Sequence, residues 1–418
     1  MPEAISKDAK ILQVPKLLLG IKFLFLFCIS GKPNGKLLTS WNPANSKADY
    51  VVAQDGSGTH KTINDALAAL DKTGGNRRNQ RVIVYVKAGV YNEKVVIKKN
   101  MEKMMFVGDG IDRTIVTGNR NAKRDGYATH ETATFGKIIE TGAYISDCTI
   151  CCCFLSFQAL RAKIEPCFNN NVDIKILRFE LLINLLFCAG VHADGFWARD
   201  MTFENTAGPD GRQAVALMVS SEQSVVYRCS FKGYQNTLYV RSKRQFYRDC
   251  HIYGTIDFIF GNAAVVLQNC DIFVRKPNEN QKNVTVAQGR RSPDENTGIS
   301  IQGSRIGPAP DFIGVKNIPT FLGRPWRKYS RTVIFETDID GFIDPAGWLP
   351  WDGSVHLNTL FYAEYNNIGC GASTEHRAKW PGFHVFKSWK EASPFTVNKF
   401  IKGSSWISQT GVSYKLGV

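Results

Sequence analysis

The sequence predicts a right-handed parallel β-helix with a short amino-terminal capping helix, and three observations carry that expectation. From residue 200 onward the chain repeats loosely. "RDMTFENT", "YRCSFKGY", "YRDCHIYG" and "LQNCDIFV" share a polar pair, a small residue or Cys, and then an apolar-flanked turn. Cys229, Cys250 and Cys270 fall in one phase, 21 and 20 residues apart, and "IQGSRIGP" puts Ser304 in the same phase. The units carry Val, Ile, Phe, Tyr and Thr, with turn glycines at 233, 254 and 261. A β-rich unit of about 20 residues cannot bury its apolar face alone, so such units stack. A β-sandwich would need no such phase.

The elements follow in order. Residues 1–48 form a leader. Its apolar stretch "LLLGIKFLFLFCIS" (17–30) contains Lys22 and follows Lys7, Lys10 and Lys16. That is too short to span a bilayer comfortably, so no stable membrane insertion is expected. It reads either as a poor secretory signal or as a leader without a targeting role. The sequon Asn283-Val284-Thr285 fits a secreted chain. The main domain covers 49–397. "ADYVVAQDGSGTHKTINDALAAL" reads as a strand, a glycine turn and a helix from about Thr62 to Leu70, placed to cap the first coil. "RVIVYVKAGVYNEKVVI" reads as two strands around Gly89. Residues 398–418 are read as a carboxy-terminal tail.

Residues 137–190 break the pattern. They hold six of the 11 cysteines (Cys148, Cys151, Cys152, Cys153, Cys167 and Cys188). Three adjacent cysteines do not readily converge on one tetrahedral metal, so no metal is expected. Without these 54 residues, "ETATFG" joins "VHADGFWARDMTFEN" without a seam. The closing "LLFCAG" is what a pyrimidine-rich tract and a terminal CAG would encode, and Gly136-Lys137 can be encoded as GGTAAA. The segment therefore reads as an irregular insertion from a retained intron translated in frame.

The formal charge is +15, from 52 Lys+Arg against 37 Asp+Glu. Long-range attraction then favours anionic partners, unless the charge serves no specific partner. There is no zinc-finger spacing and no helix with a clustered basic face, so nucleic acid is not expected. An acidic polysaccharide or an anionic membrane surface remains.

In a parallel β-helix, residues one coil apart stand above one another. Gln213 and Gln235 are 22 apart, and Asn236 and Asp257 are 21 apart. Two amides near one carboxylate suit an ester hydrolase, with the amides holding an oxyanion while the carboxylate attacks. A plain ladder of stacked Asn and Gln on a solenoid face gives the same spacing, and spacing alone leaves both readings open.

Five ordered blocks then matter: "GVYNEKV" (89–95), "QAVAL" (213–217), "GYQNTLY" (233–239), "DFIFG" (257–261) and "LGRPW" (322–326). Together they resemble the signature blocks of plant pectinesterases, the pectin methylesterases, from about Asp49 to at least Val397 outside 137–190. The resemblance implies a shallow cleft for homogalacturonan and hydrolysis of its methyl esters to pectate and methanol, with no metal or other cofactor. It implies a secreted cell-wall protein that a proteinaceous inhibitor could control. By motif, Asp257 is the nucleophile, Gln213 and Gln235 form the anion hole, and Arg324 keeps Asp257 ionised. Tyr239, Trp326 and Trp348 would contact sugars, and Thr129 aligns with a substrate-contacting threonine. Structural readings stand beside these: Arg324 as an ion-pair residue, Trp326 and Trp348 as core. His130 and His251 are read as hydrogen-bonded or surface residues.

Two departures stand out. The family usually carries an acidic Asp where this chain has Asn236, and an amide cannot supply a proton to the departing methoxide. Residues 1–48 are also too short for the helical inhibitor-like region that many relatives carry. An impaired esterase and a galacturonan-binding wall protein are therefore both expected readings. A lyase would want clustered acids for calcium and a polygalacturonase paired Asp residues, and neither set stands beside Asp257.

Overall fold

Each coil of the chain gives one strand to each of three faces. The computed structural model describes residues 38–75, 80–98, 100–137 and 195–418. The apolar leader stretch at 17–30 and almost all of 137–190 lie outside the described residues. Within them, three parallel sheets hold 11, 7 and 8 strands, and in each sheet the neighbours come from successive coils. This is the right-handed parallel β-helix expected from the repeat.

One corner sets the repeat. The strand ending at Arg199 in the 11-stranded sheet is followed by Asp200, and those of later coils by Arg228, Asp249, Asn269, Gly303, Glu336 and Asn366. All seven residues are left-handed, with φ between 49° and 56°. One left-handed residue turns the chain sharply into the 8-stranded sheet, although only one of the seven is glycine and the rest bear a steric cost of about 1–2 kcal/mol. In four of these coils the next residue, Cys229, Cys250, Cys270 or Ser304, is buried, and the Cys270 backbone N–H donates to Ser304 Oγ at 3.1 Å. The polar pair and Cys of the sequence repeat are thus a turn residue and its inward neighbour.

Inside, apolar side chains stack by the same register. Phe135 meets Phe203 edge-on at 4.9 Å, Phe203 stacks on Phe231 at 6.0 Å, and Phe231 meets Tyr247 at 5.8 Å. The helix Ile63–Lys72 closes the amino-terminal end. Thr62 caps it by accepting from the Asp65 N–H, and Ile63, Ala66, Leu67 and Leu70 are buried. The Glu93 carboxylate also accepts from the Ile63 and Asn64 N–H groups, at 3.0 and 2.9 Å. Val397, Phe400, Ile401, Trp406 and Ile407 pack with Leu38, Trp41, Ile83 and Phe246 in a second apolar cluster. Much of 398–418 therefore lies against the solenoid.

The sequon does not serve a glycan in the folded chain. Asn283 is fully buried in the strand Asn283–Gln288, and its side chain donates to the Arg275 carbonyl at 3.2 Å.

Near the carboxy-terminal end, Glu364 and Arg377 form a sealed ion pair with side chains 1% and 2% exposed. Arg377 donates from Nε and Nη2 to Glu364 at 2.8 and 3.2 Å, and also to the carbonyls of Gly371 and Pro345. Removing one partner of such a pair leaves an uncompensated charge. Glu364→Ala is expected to lose about 3–5 kcal/mol of stability, read as a lower midpoint in denaturant. An unchanged midpoint would show that water reaches Arg377.

Candidate active site

The outward face of the 7-stranded sheet supplies a floor. Its register aligns Gly136, Met218, Tyr239, Phe260 and Ala287 in one row. Met218, Phe260 and Ala287 are buried, and Tyr239 and Trp326 pack against them. Tyr239 stacks on Phe260 at 4.3 Å, and Trp326 stands edge-on to Phe260 at 6.1 Å. Gly289 makes room for that indole, since a Cβ there would sit 2.6 Å from Trp326. The Arg324 N–H donates to the Val286 carbonyl at 2.9 Å, which puts Arg324 next in the row.

The turns leading into these strands supply the polar wall. The Ala214 N–H donates to the Gln235 carbonyl at 3.1 Å, and the Asn236 N–H to the Ile256 carbonyl at 3.0 Å. These bonds place Gln213 beside Gln235 and Asn236 beside Asp257. Asn236 and Asp257 are left-handed, with φ of 65° and 50°. Asn and Asp tolerate that region better than most side chains. The register also slips between Ile256 and Ile259. Such a bulge re-aims the side chain it carries, here Asp257.

The result is a cleft of about 390 Å³ lined by Thr129, His130, Gln213, Gln235, Asn236, Tyr239, Asp257, Phe260, Ala287, Arg324, Trp326 and Trp351. Asp257 is 5% exposed. Arg324 grips it with two bonds, Nε to Oδ1 at 2.7 Å and Nη2 to Oδ2 at 2.6 Å. Burial nevertheless pushes the Asp257 carboxyl above the usual carboxylate range, against the opposing pull of Arg324. Arg324 thus favours the ionised form of Asp257, while burial disfavours it. The same guanidinium lies 4.4 Å over the Trp351 ring. Burial also holds His130 below its ordinary range, helped by Arg241 and Lys94 and opposed by Glu131.

Asn236 makes no hydrogen bond to the Asp257 carboxylate among the described residues. Its Nδ2 donates to the Asp257 backbone carbonyl at 3.2 Å. The side chains of Gln213 and Gln235 line the cleft with no hydrogen-bond partner among the described residues, so both amides are free to donate to a bound group.

Eight of the nine expected site residues thus share this cleft. Trp348 is the exception. It is 1% exposed, and its Nε1 donates to Glu364 at 3.0 Å, so it is core and not a sugar contact. Trp351 of the same "GWLPW" run lines the cleft and is 38% exposed. The sequence signal was there, because two tryptophans three residues apart cannot both face inward from a strand-like segment. Phe260 was passed over, and His130, read as a hydrogen-bonded or surface residue, also lines the cleft. Alternation alone would put Phe260 on the same face as the buried Phe258, two residues earlier; the register slip between Ile256 and Ile259 breaks that alternation. His251 lies at the surface near Asp271.

Comparison with known proteins agrees with this geometry. The sequence profile of the pectinesterase family matches residues 49–150 and 187–404. "Probable pectinesterase/pectinesterase inhibitor 36" of Arabidopsis thaliana is 54% identical over 386 residues, covering 92% of this chain and 64% of that protein. "Pectinesterase 2" of Citrus sinensis is 45% identical over 93% of this chain and 63% of its own length. This chain therefore spans a little under two thirds of these curated relatives. The solved structure of the pectin methylesterase from carrot superposes with a TM-score of 0.74 at 42% identity, covering 90% of this chain and 100% of that one. Profile, identity and fold together establish that this chain belongs to the pectinesterase family.

Proposed function

We propose that the cleft hydrolyses methyl esters of homogalacturonan to pectate and methanol. The observation that carries this reading is one buried carboxylate, gripped by Arg324, with two unpartnered amides on the same wall. An Asp257 oxygen attacks the ester carbonyl, and the tetrahedral oxyanion accepts from the Gln213 and Gln235 amides. Collapse expels methoxide, which takes a proton. Water then cleaves the acyl-Asp257 bond, releasing the uronate and restoring the carboxylate. Tyr239, Trp326 and Trp351 offer ring faces to the sugars, and Thr129 borders the same cleft. The two-part names of some relatives support control by a proteinaceous inhibitor. Secretion to the cell wall belongs to the same reading. Methanol release in a wall extract, suppressed by added inhibitor, checks both.

The second reading, a galacturonan-binding protein with little turnover, is favoured by Asn236 alone. An amide there satisfies the Asp257 carbonyl but holds no transferable proton. An Asp could donate to that carbonyl only when protonated, so its burial and its partner would both keep it in the acid form.

The connection at the first cleft strand supports reading 137–190 as an insertion. Strands Leu217–Val219 and Leu238–Val240 reach the 11-stranded sheet through residues 220–223 and 241–243, whereas Phe135–Lys137 reaches Trp197–Arg199 through 138–196. Without 137–190 that connection would be 191–196. The family profile also leaves 151–186 unmatched. A transcript lacking the 54 codons is expected to predominate; cDNA that mostly retains them would end the idea.

Asp257→Ala should abolish methanol release from methylated pectin while the protein stays folded. Arg324→Ala should slow release and move the acidic limb of the pH–rate profile upward. The nucleophile must be ionised, burial already raises its pKa, and the substitution removes what opposes burial. An unmoved limb would dissolve the pairing.

Asn236→Asp should raise the rate roughly tenfold or more, since a positioned general acid contributes about 10²–10⁴. Equal rates for the two proteins would mean that protonation of the leaving group is not limiting.

A further inference from the structure

Near Thr129 of the cleft, at the amino-terminal edge of the 7-stranded sheet, two cations face one aromatic ring. The Arg120 guanidinium carbon lies 5.0 Å from the Tyr127 ring centroid, and the Lys94 ammonium lies 5.9 Å from it. Tyr127 precedes Thr129 by two residues. Lys94 precedes the strand Val95–Ile97, whose Val95 aligns through Phe135, Leu217 and Leu238 with Ile259 of the Asp257 strand. The two ends of this row are four strand steps apart, roughly 19 Å at ~4.8 Å per step.

Among the described residues, neither Lys94 nor Arg120 has an ion-pair partner. Lys94 donates to the Glu131 backbone carbonyl at 2.7 Å. Two acids feel these charges: Asp125 accepts from Arg124 with both oxygens, and Glu131 turns its carboxylate to the Ala128 N–H at 2.9 Å. Burial lowers the Lys94 ammonium below its ordinary range, the Arg120 charge pushes it further, and Glu131 opposes them only in part. A bound anion would relieve this crowding.

We propose that Lys94, Arg120 and the Tyr127 ring form a carboxylate-binding subsite for an unesterified uronic acid residue of the polysaccharide chain whose ester lies at Asp257. The inference rests on the reading of the cleft as a pectin site. Two half-buried cations recognise a carboxylate by charge-assisted bonds, and a methyl ester offers them no charge. The Tyr127 ring beside them suits the apolar face of a sugar. The distance to Asp257 requires one ligand of several sugars lying along the solenoid axis. The subsite thus selects chains that already carry a free acid at a fixed distance from the ester under attack.

Binding of two probes tests this: a de-esterified oligogalacturonate long enough to span the row, and the same oligomer fully methyl-esterified. Both are titrated into the full chain carrying Asp257→Asn, so that no ester is consumed. Adding Lys94→Met and Arg120→Gln should weaken binding of the acid oligomer about tenfold or more. Binding of the methylated oligomer should change less than about twofold, because no charged contact is lost there. Arg120→Lys, which keeps the charge, should retain most of the discrimination and guards against a folding defect in the double variant. Equal loss for both probes, or no loss for the acid oligomer, overturns the subsite while leaving the hydrolytic reading intact. Failure of the chain to bind either probe overturns both.

Discussion

The parallel register is the constraint on which everything else rests. Each coil advances by one strand spacing, so a side chain is placed by its phase within the coil. The left-handed corner residue keeps that phase through seven coils, whatever side chain it carries. A site made of Gln213, Gln235, Asn236 and Asp257 can therefore be assembled from residues far apart in sequence without a loop having to find its place. Rigid elements hold such groups better than loops do.

Two buried arginine–carboxylate pairs show how exposure divides roles. Arg377 and Glu364 are sealed, and every donor finds a carbonyl or carboxylate. Arg324 and Asp257 have the same two-bond geometry, but the Arg324 side chain is 23% exposed and opens onto a cleft. The first pair ties the Trp348 segment to the last strands. That segment runs beside Gly323, through Leu349 N–H to the Gly323 carbonyl at 3.0 Å, and so stands next to Arg324. The sealed pair thereby supports the backbone from which the open one works.

Much of this was legible in the sequence because a coil period is a backbone property, and the backbone writes it into side-chain spacing. The 22- and 21-residue separations gave the amide pair and the Asn–Asp pair, and the structure pairs them so. Arg324 and Trp326 of "LGRPW" and Tyr239 of "GYQNTLY" were legible only through family blocks; Arg324, for one, reaches Asp257 from two coils away. What failed depended on orientation within a coil. Nothing in "GWLPW" alone says which tryptophan the Gly323 pairing turns inward. The bulge at Asp257 leaves no compositional mark. The sequon read as a surface feature because its burial comes from neighbouring coils.

The inward stack of Cys229, Cys250 and Cys270 has a bearing on the chemistry of the surroundings. All three are free thiols with essentially no exposure. Burial holds the Cys229 and Cys250 thiols well above their ordinary range, and so protonated. Thiolate is the form that reacts with oxidants and disulfides. Burial thus keeps Cys229 and Cys250 from reacting, and the three side chains fill the corner as a small apolar column with no cross-link among them to form or lose.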